Sequence, residues 1–117
     1  MRRDDLKDQK EKLQIILDAC EDKKGIDTQV LEIGHLSSIG DYFVIVSGNS
    51  QVQVGALADE IDDKMAEAGF SKLNEEGKSS GRWIILDYGD IIVHVFHKEE
   101  REYYGLERLW QEPQKEE

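Results

Sequence analysis

The chain has 117 residues and a formal net charge of −11, because 26 acidic side chains outnumber 15 basic ones. This balance argues against sequence-independent binding to nucleic acid, which needs a basic surface that displaces counterions. It favours either a basic protein partner or solubility alone, and the charge does not decide between the two. The length indicates one domain over residues 1–117, with a core that needs no covalent staple.

The compartment is indicated by cysteine content and by the amino terminus. Cys20 is the only cysteine, so no disulfide can form within the chain and a reducing environment is expected. Residues 1–12 lack the apolar core of a signal peptide, and no run is apolar enough to cross a membrane. We therefore expect a cytoplasmic protein, or an organellar one whose transit peptide is removed upstream.

The first part of the chain predicts a helix followed by two strands. Apolar residues recur at helical spacing from Asp4 to Lys24, and Gly25 follows where a helix-ending glycine belongs. Thr28–Ile33 predicts a short strand. Asp41–Ser47 predicts a strongly apolar, buried strand, reached by a connection over residues 34–40.

A second helix is predicted from Ser50 to about Ala68. Ser50 and Gln53 have the spacing of a capping box, in which each side chain satisfies a free backbone N–H of the first turn. Gly69 then supplies the left-handed residue that commonly ends a helix. Lys72–Glu75 follows as a short edge strand.

Two apolar strands, Arg82–Asp87 and Asp90–Phe96, form a predicted hairpin joined by Tyr88-Gly89, since glycine supplies the positive φ of a tight turn. Both faces of this hairpin are apolar, unlike those of an antiparallel pair with one face in water. The hairpin is therefore central in its sheet, or a partner chain covers one of its faces.

The order of elements predicts the fold class. A helix or turns over residues 98–110 follow the hairpin, and residues 111–117 read as a frayed tail. The order α-β-β-α-β-β-β-α indicates an α/β (α+β) domain with a mixed five-stranded sheet and flanking helices. The Asp41 strand, the Ser50 helix and a later strand would form one crossover with parallel pairing.

The turn Ser47–Ser50 is the only candidate for a phosphate site, because it joins a strand to a helix amino terminus. A nucleotidyltransferase carries a similar turn, but it also needs two carboxylates that hold Mg²⁺. Neither Gln51–Gln53 nor Lys72–Asn74 supplies such a pair, and no lysine-bearing phosphate loop is present. Capping of the helix explains Ser50 and Gln53 without any ligand.

No set of residues indicates a metal, a cofactor or catalysis. His94 and His97 point to opposite faces of one strand, so they are poor candidates for a shared metal. Cys20 lies on the apolar stripe of the first helix and reads as a small buried thiol. Asp87 and Asp90 flank apolar strands, where they serve either turn chemistry or the charge that a basic partner would meet.

Three blocks, DYFVIVSGNSQVQVGALADEI, GRWIILDYGDIIVHVF and REYYGLERLW, occur in this order over about Leu6 to Trp110. In sequence and spacing they resemble the Iojap/RsfS family of ribosomal silencing factors. The resemblance implies a domain with a nucleotidyltransferase-like shape but without the catalytic residues. It also implies a homodimer, and no enzyme activity or cofactor.

The resemblance further implies a binding partner and a mode of action. The expected partner is the large ribosomal subunit, through ribosomal protein L fourteen, with little direct contact to nucleic acid. Occupying that face would block joining of the small subunit and repress translation. The alternative function is that of a divergent nucleotidyltransferase-like, nucleotide-binding enzyme. The expected partner-binding residues, on the hairpin and after it, are Trp83, Leu86, Tyr88, Asp90, Tyr103 and Tyr104.

Overall fold

A computed structural model describes residues 3–34 and 41–104, and within these ranges the side chains of 8–34 and 41–101. The elements follow the predicted order. They are α1 (Arg3–Asp22), β1 (Ile26–Glu32), β2 (Tyr42–Gly48), α2 (Gln51–Glu67), β3 (Asn74–Glu76), β4 (Trp83–Asp87), β5 (Ile91–His97) and α3 (Lys98–Tyr104). The predicted connection beyond residue 34 and the predicted tail lie outside the described residues.

The strands form one mixed sheet in the order β1-β2-β5-β4-β3. β2 and β5 are parallel, whereas β1 with β2, β4 with β5, and β3 with β4 are antiparallel. Between β2 and β5 the chain passes through α2, β3 and β4, so the crossover with parallel pairing is confirmed. The predicted five-stranded mixed sheet with flanking helices is confirmed as well.

Side chains alternate along each strand, so the two faces of the sheet carry separate apolar clusters. On one face, the helix face, α1 and α2 pack against the sheet. Buried residues of this cluster include Ile16, Val44, Leu57, Ile61, Ile84, Leu86 and Val93. On the other, the aromatic face, the cluster consists of Ile33, Phe43, Ile45, Ile92 and Phe96, with Leu31, Trp83 and Ile85 packed against it.

The two-sided apolar character of the hairpin is explained by the position of β5. This strand lies between β2 and β4, and Ile91–Phe96 is buried on both faces within the chain itself. The first of the two predicted alternatives, a central hairpin, is therefore correct for β5. Its apolar residues need no partner chain to cover them.

The hairpin turn lies one residue later than predicted. The backbone N–H of Tyr88 donates to the carbonyl of Ile91 at 2.9 Å, so the residues between them form the turn. Gly89 has a φ of +93°, which glycine adopts without strain. Asp87 accepts a hydrogen bond from the Gly89 N–H at 2.8 Å, so the predicted turn chemistry is confirmed at this aspartate.

The amino end of α2 is capped by Ser50 as predicted, whereas Gln53 binds Asn49, one residue before the cap, and not a backbone N–H of the first turn. Ser50 Oγ accepts a hydrogen bond from the Gln53 N–H at 3.1 Å, and Gln53 Oε1 accepts one from the Asn49 N–H at 2.6 Å. The Gln53 amide also donates to the carbonyls of Lys23 and Lys24. Gln53 therefore connects the end of α1 to the start of α2.

The end of α1 differs from the prediction. Lys24, with a φ of +59°, takes the left-handed conformation that was expected at Gly25. Gly25 is required for another reason: a Cβ there would lie 2.4 Å from Val46 Cγ2. Close approach of the backbone to β2, and not the helix cap, explains this glycine.

Candidate partner-binding surface

Trp83 begins β4 on the aromatic face and remains partly exposed. Its ring stacks on Phe96, with ring centroids 4.7 Å apart, and its indole N–H donates to His94 Nδ1 at 3.1 Å. Phe43 meets the His94 ring edge-on at 4.5 Å. These contacts fix the indole in one orientation, so it presents a rigid apolar surface with little entropy to lose on binding.

His94 holds the Trp83 indole through this hydrogen bond. Because Nδ1 accepts the indole N–H, the proton of the neutral imidazole lies on Nε2. Burial lowers the pKa of His94 from 6.5 to about 4, so the ring is neutral near pH 7. Among the described residues no group hydrogen-bonds to the buried Nε2.

Ile85 continues the partly exposed apolar strip along β4. It lies directly opposite Glu76 of β3, and Asp87 lies opposite Asn74 in the same ladder. The apolar strip of Trp83 and Ile85 is thus bordered by the carboxylate of Glu76 on β3 and by that of Asp87, which follows on the same face of β4. Apolar anchors with a charged rim are typical of protein-binding surfaces.

Leu86 and Tyr88 lie on the opposite, helix face, where both are buried. The Tyr88 hydroxyl donates to Asp62 at 3.0 Å, and Lys72 binds the other carboxylate oxygen at 2.7 Å. Burial, together with the adjacent Asp62 carboxylate, raises the pKa of Tyr88 well above its ordinary value. This placement favours a structural role for both residues and does not support direct contact with a partner.

Asp90 lies in the hairpin turn and contacts Gln9 and Lys12 of α1. Lys12 Nζ binds its carboxylate at 3.0 Å. The Gln9 amide donates to Asp41 at 2.8 Å and to Asp90 at 3.4 Å. Lys12 also lies 5.3 Å from the ring centroid of Phe70. The charge that the sequence assigned to a partner is therefore paired within the chain.

Tyr103 and Tyr104 are the last residues of α3, and their side chains lie outside the described residues. The helix itself is anchored at Arg101, which donates to the Ser47 hydroxyl at 3.0 Å and to the Ile26 carbonyl at 3.2 Å. α3 is thus fixed at the carboxyl end of β2. The role of both tyrosines in binding stays a prediction.

Two of the backbone N–H groups that a phosphate would need at the amino end of α2 are already bound. The N–H groups of Asn49 and Gln53 are bound by side chains of the chain itself. Within residues 3–34 and 41–104, no group of three or more His, Cys, Asp or Glu side chains could hold a metal ion. Burial raises the pKa of Cys20 to about 12, more than a hydrogen bond from Thr28 lowers it, so its thiol is not poised as a nucleophile.

Sequence reasoning missed five residues that surround the predicted site residues. Gln9 and Lys12 hold Asp90, Phe70 flanks Lys12, Asp62 holds Tyr88, and His94 holds Trp83. The first four pair with residues too far away in sequence for a local pattern to reveal them. His94 lies 11 residues from Trp83 on the other strand of the predicted hairpin, so the hairpin pattern could have paired these two. A weak signal existed in Gln9 and Lys12, which lie three residues apart and so face the same side of α1.

The fold defines a small mixed α/β domain, and solved structures share it. An X-ray crystal structure of a protein from Chromobacterium violaceum is 38% identical and aligns with a TM-score of 0.85 over 89% of this chain and 88% of that one. A crystal structure of a Bacillus halodurans protein is 42% identical, with a TM-score of 0.79 over 86% of this chain and 94% of that one.

The chain belongs to the RsfS family, described as "Ribosomal silencing factor during starvation", whose profile matches residues 6–117. It is similar to the Ribosomal silencing factor RsfS of Bacillus subtilis, with 47% identity over 87% of this chain and 86% of that protein. It is also similar to Protein Iojap, chloroplastic, of Zea mays, with 30% identity over 79% of this chain and 40% of that protein. Among the described helices, none has the length and apolar character of a membrane span.

Proposed function

We propose that this protein silences ribosomes by binding the large subunit, through ribosomal protein L fourteen, and sterically preventing the small subunit from joining. Translation is repressed without catalysis and without a cofactor. The observation that carries the proposal is the match of the silencing-factor family to residues 6–117. A protein with this action works wherever its ribosomes are, in the cytoplasm or in an organelle that makes its own proteins.

The binding surface that we propose is the strip along β4. Trp83 and Ile85 are partly exposed and apolar, and Glu76 and Asp87 border them. Ribosomal proteins are basic, so an acidic rim attracts them, and the net charge of −11 repels ribosomal RNA. Contact with the large subunit is therefore mainly contact with protein.

The six predicted residues have different roles in this proposal. Trp83 touches the partner directly, and Asp90 lies at the rim of the same hairpin, a quarter exposed. Leu86 and Tyr88 hold the hairpin against α2 from its buried side. Tyr103 and Tyr104, on the segment after β5, remain candidates for direct contact.

A homodimer is the second part of the proposal, in keeping with the resemblance to the family. A symmetric pair uses the same patch on both copies, and the partly exposed apolar strip of β4 is suited to such pairing. Light scattering at micromolar concentration tests it directly. A monomer at every concentration would refute the dimer and leave the proposal for the ribosome standing.

The test of the main proposal is co-sedimentation with isolated large subunits. Ile85→Ser removes apolar area from the strip, and we expect it to weaken binding. Val52→Ser is the matched control, because Val52 is 83% exposed on α2, which packs on the helix face of the sheet and not on the aromatic face. The control should bind like the parent chain. Equal binding by all three proteins would place the contact elsewhere.

A further inference from the structure

We propose that Lys12 is an internal competitor for the cationic group that a partner places on Asp90, so that the Lys12–Asp90 ion pair weakens binding of a partner that reaches the hairpin turn. This inference rests on the proposed function, because it requires a basic partner at the hairpin turn. The two side chains meet at 3.0 Å, and they are 16% and 25% exposed, respectively. Both groups therefore reach the surface, where a partner can compete for them.

The surroundings of the Lys12 ammonium have the features of a cation site. Asp90 provides one carboxylate. Asp41 provides a second one near it, because the Gln9 amide donates to Asp41 at 2.8 Å and to Asp90 at 3.4 Å. Phe70 provides an aromatic ring whose centroid lies 5.3 Å from Lys12 Nζ. Carboxylates and an aromatic face attract a cation through independent effects, charge and ring quadrupole.

An arginine fits this setting better than the resident lysine. Its planar guanidinium can donate two parallel hydrogen bonds to a carboxylate and can stack on an aromatic ring. Lysine offers only a point charge. The partner group that we infer is therefore an arginine side chain of a basic protein, seated on Asp90 and against Phe70 after Lys12 has moved away.

Displacement is feasible because the ion pair is partly hydrated. Pairs of this kind are weak, and the ammonium regains water when it leaves. The competition should nonetheless be measurable, since a pair of this strength corresponds to a change of up to about fivefold in an equilibrium constant. Lys12→Gln should then bind large subunits more tightly at low salt, by up to about fivefold.

The experiment compares variants by their dissociation constants for isolated large subunits. Lys12→Arg keeps a resident cation, and we expect no gain in affinity. Lys10→Gln is the matched control: Lys10 is exposed on the same helix, so this change removes the same charge without exposing Asp90. Lys12→Met removes the same charge with an apolar side chain and should bind like Lys12→Gln. Thermal unfolding of each variant confirms that it is folded.

The same substitutions in an Asp90→Asn protein distinguish competition at Asp90 from a change in the net charge of the protein. In Asp90→Asn protein the resident carboxylate is gone, so Lys12→Gln should no longer tighten binding. An equal gain from Lys10→Gln and Lys12→Gln, or weaker binding by Lys12→Gln, would overturn the inference while leaving the proposed function intact. Failure of the parent chain to bind large subunits would overturn the proposed function and this inference together.

Discussion

Acidification should destabilise the protein through His94. The imidazole is 5% exposed, accepts the Trp83 N–H at Nδ1, and has a pKa lowered by burial from 6.5 to about 4. Above pH 6.5 the ring is neutral in both the folded and the unfolded chain, so its contribution to stability is fully present. Between pH 6.5 and about 4 only the unfolded chain binds the proton, and the free energy of unfolding falls.

The magnitude follows from the shift in pKa. Each pH unit in this window costs about 1.4 kcal/mol, so the loss from His94 is about 2 kcal/mol between pH 6.5 and 5. Urea unfolding followed by far-ultraviolet circular dichroism gives the free energy at each pH. His94→Gln retains groups that can bond the Trp83 indole but cannot titrate, so the slope of the parent minus that of the variant isolates His94.

Carboxylates also bind protons in this pH range, but they do so in the parent chain and in His94→Gln alike. Subtracting one slope from the other therefore removes their contribution to the free energy of unfolding. His97→Gln serves as the control for loss of a histidine from β5, because His97 lies at the strand end and is partly exposed. A parent chain whose stability depends on pH no more than that of His94→Gln would show that the ring is not buried in neutral form beneath Trp83.

The remaining predictions concern stability, measured by urea unfolding at pH 7. Tyr88→Phe should cost about 1–2 kcal/mol, since it removes the hydrogen bond to Asp62; an unchanged midpoint would refute that bond. Gly77→Ala should cost about 3 kcal/mol, because its φ is +84° and a Cβ would meet the Trp83 carbonyl oxygen at 1.9 Å. Gly69→Ala has a similar φ but open space, so about 1 kcal/mol is expected, and equal costs would contradict the clash. Ser50→Ala should cost about 1 kcal/mol through loss of the helix cap, and a neutral change would refute its role.

Much of the fold could be predicted because its signals are local. The capping pair of Ser50 and Gln53, the glycine at position 69 and the apolar run of β2 each depend on neighbours a few residues away. The central position of β5 was one of two predicted explanations for a hairpin that is apolar on both faces. A strand has the same apolar pattern whether its faces are buried within the chain or by a partner chain, so the pattern alone does not distinguish the two.

The candidate surface was harder to predict, because the burial of a strand side chain depends on which face of the sheet the helices cover. Tyr88 and Trp83 look alike in sequence as aromatic anchors of one hairpin. In the fold, Tyr88 lies against α2 and Trp83 lies on the aromatic face. The ion pair of Asp90 with Lys12 joins residues 78 positions apart in sequence, and no local pattern reveals it. Both outcomes depend on tertiary packing.

The central claim is that binding to the large subunit blocks joining of the small subunit. Large subunits incubated with this protein, then mixed with small subunits and separated on a sucrose gradient, provide the most direct measurement. We expect fewer joined ribosomes as protein is added, with the protein in the large-subunit fractions, and a smaller effect from Ile85→Ser than from Val52→Ser. Undiminished joining with the protein bound to large subunits would contradict the claim.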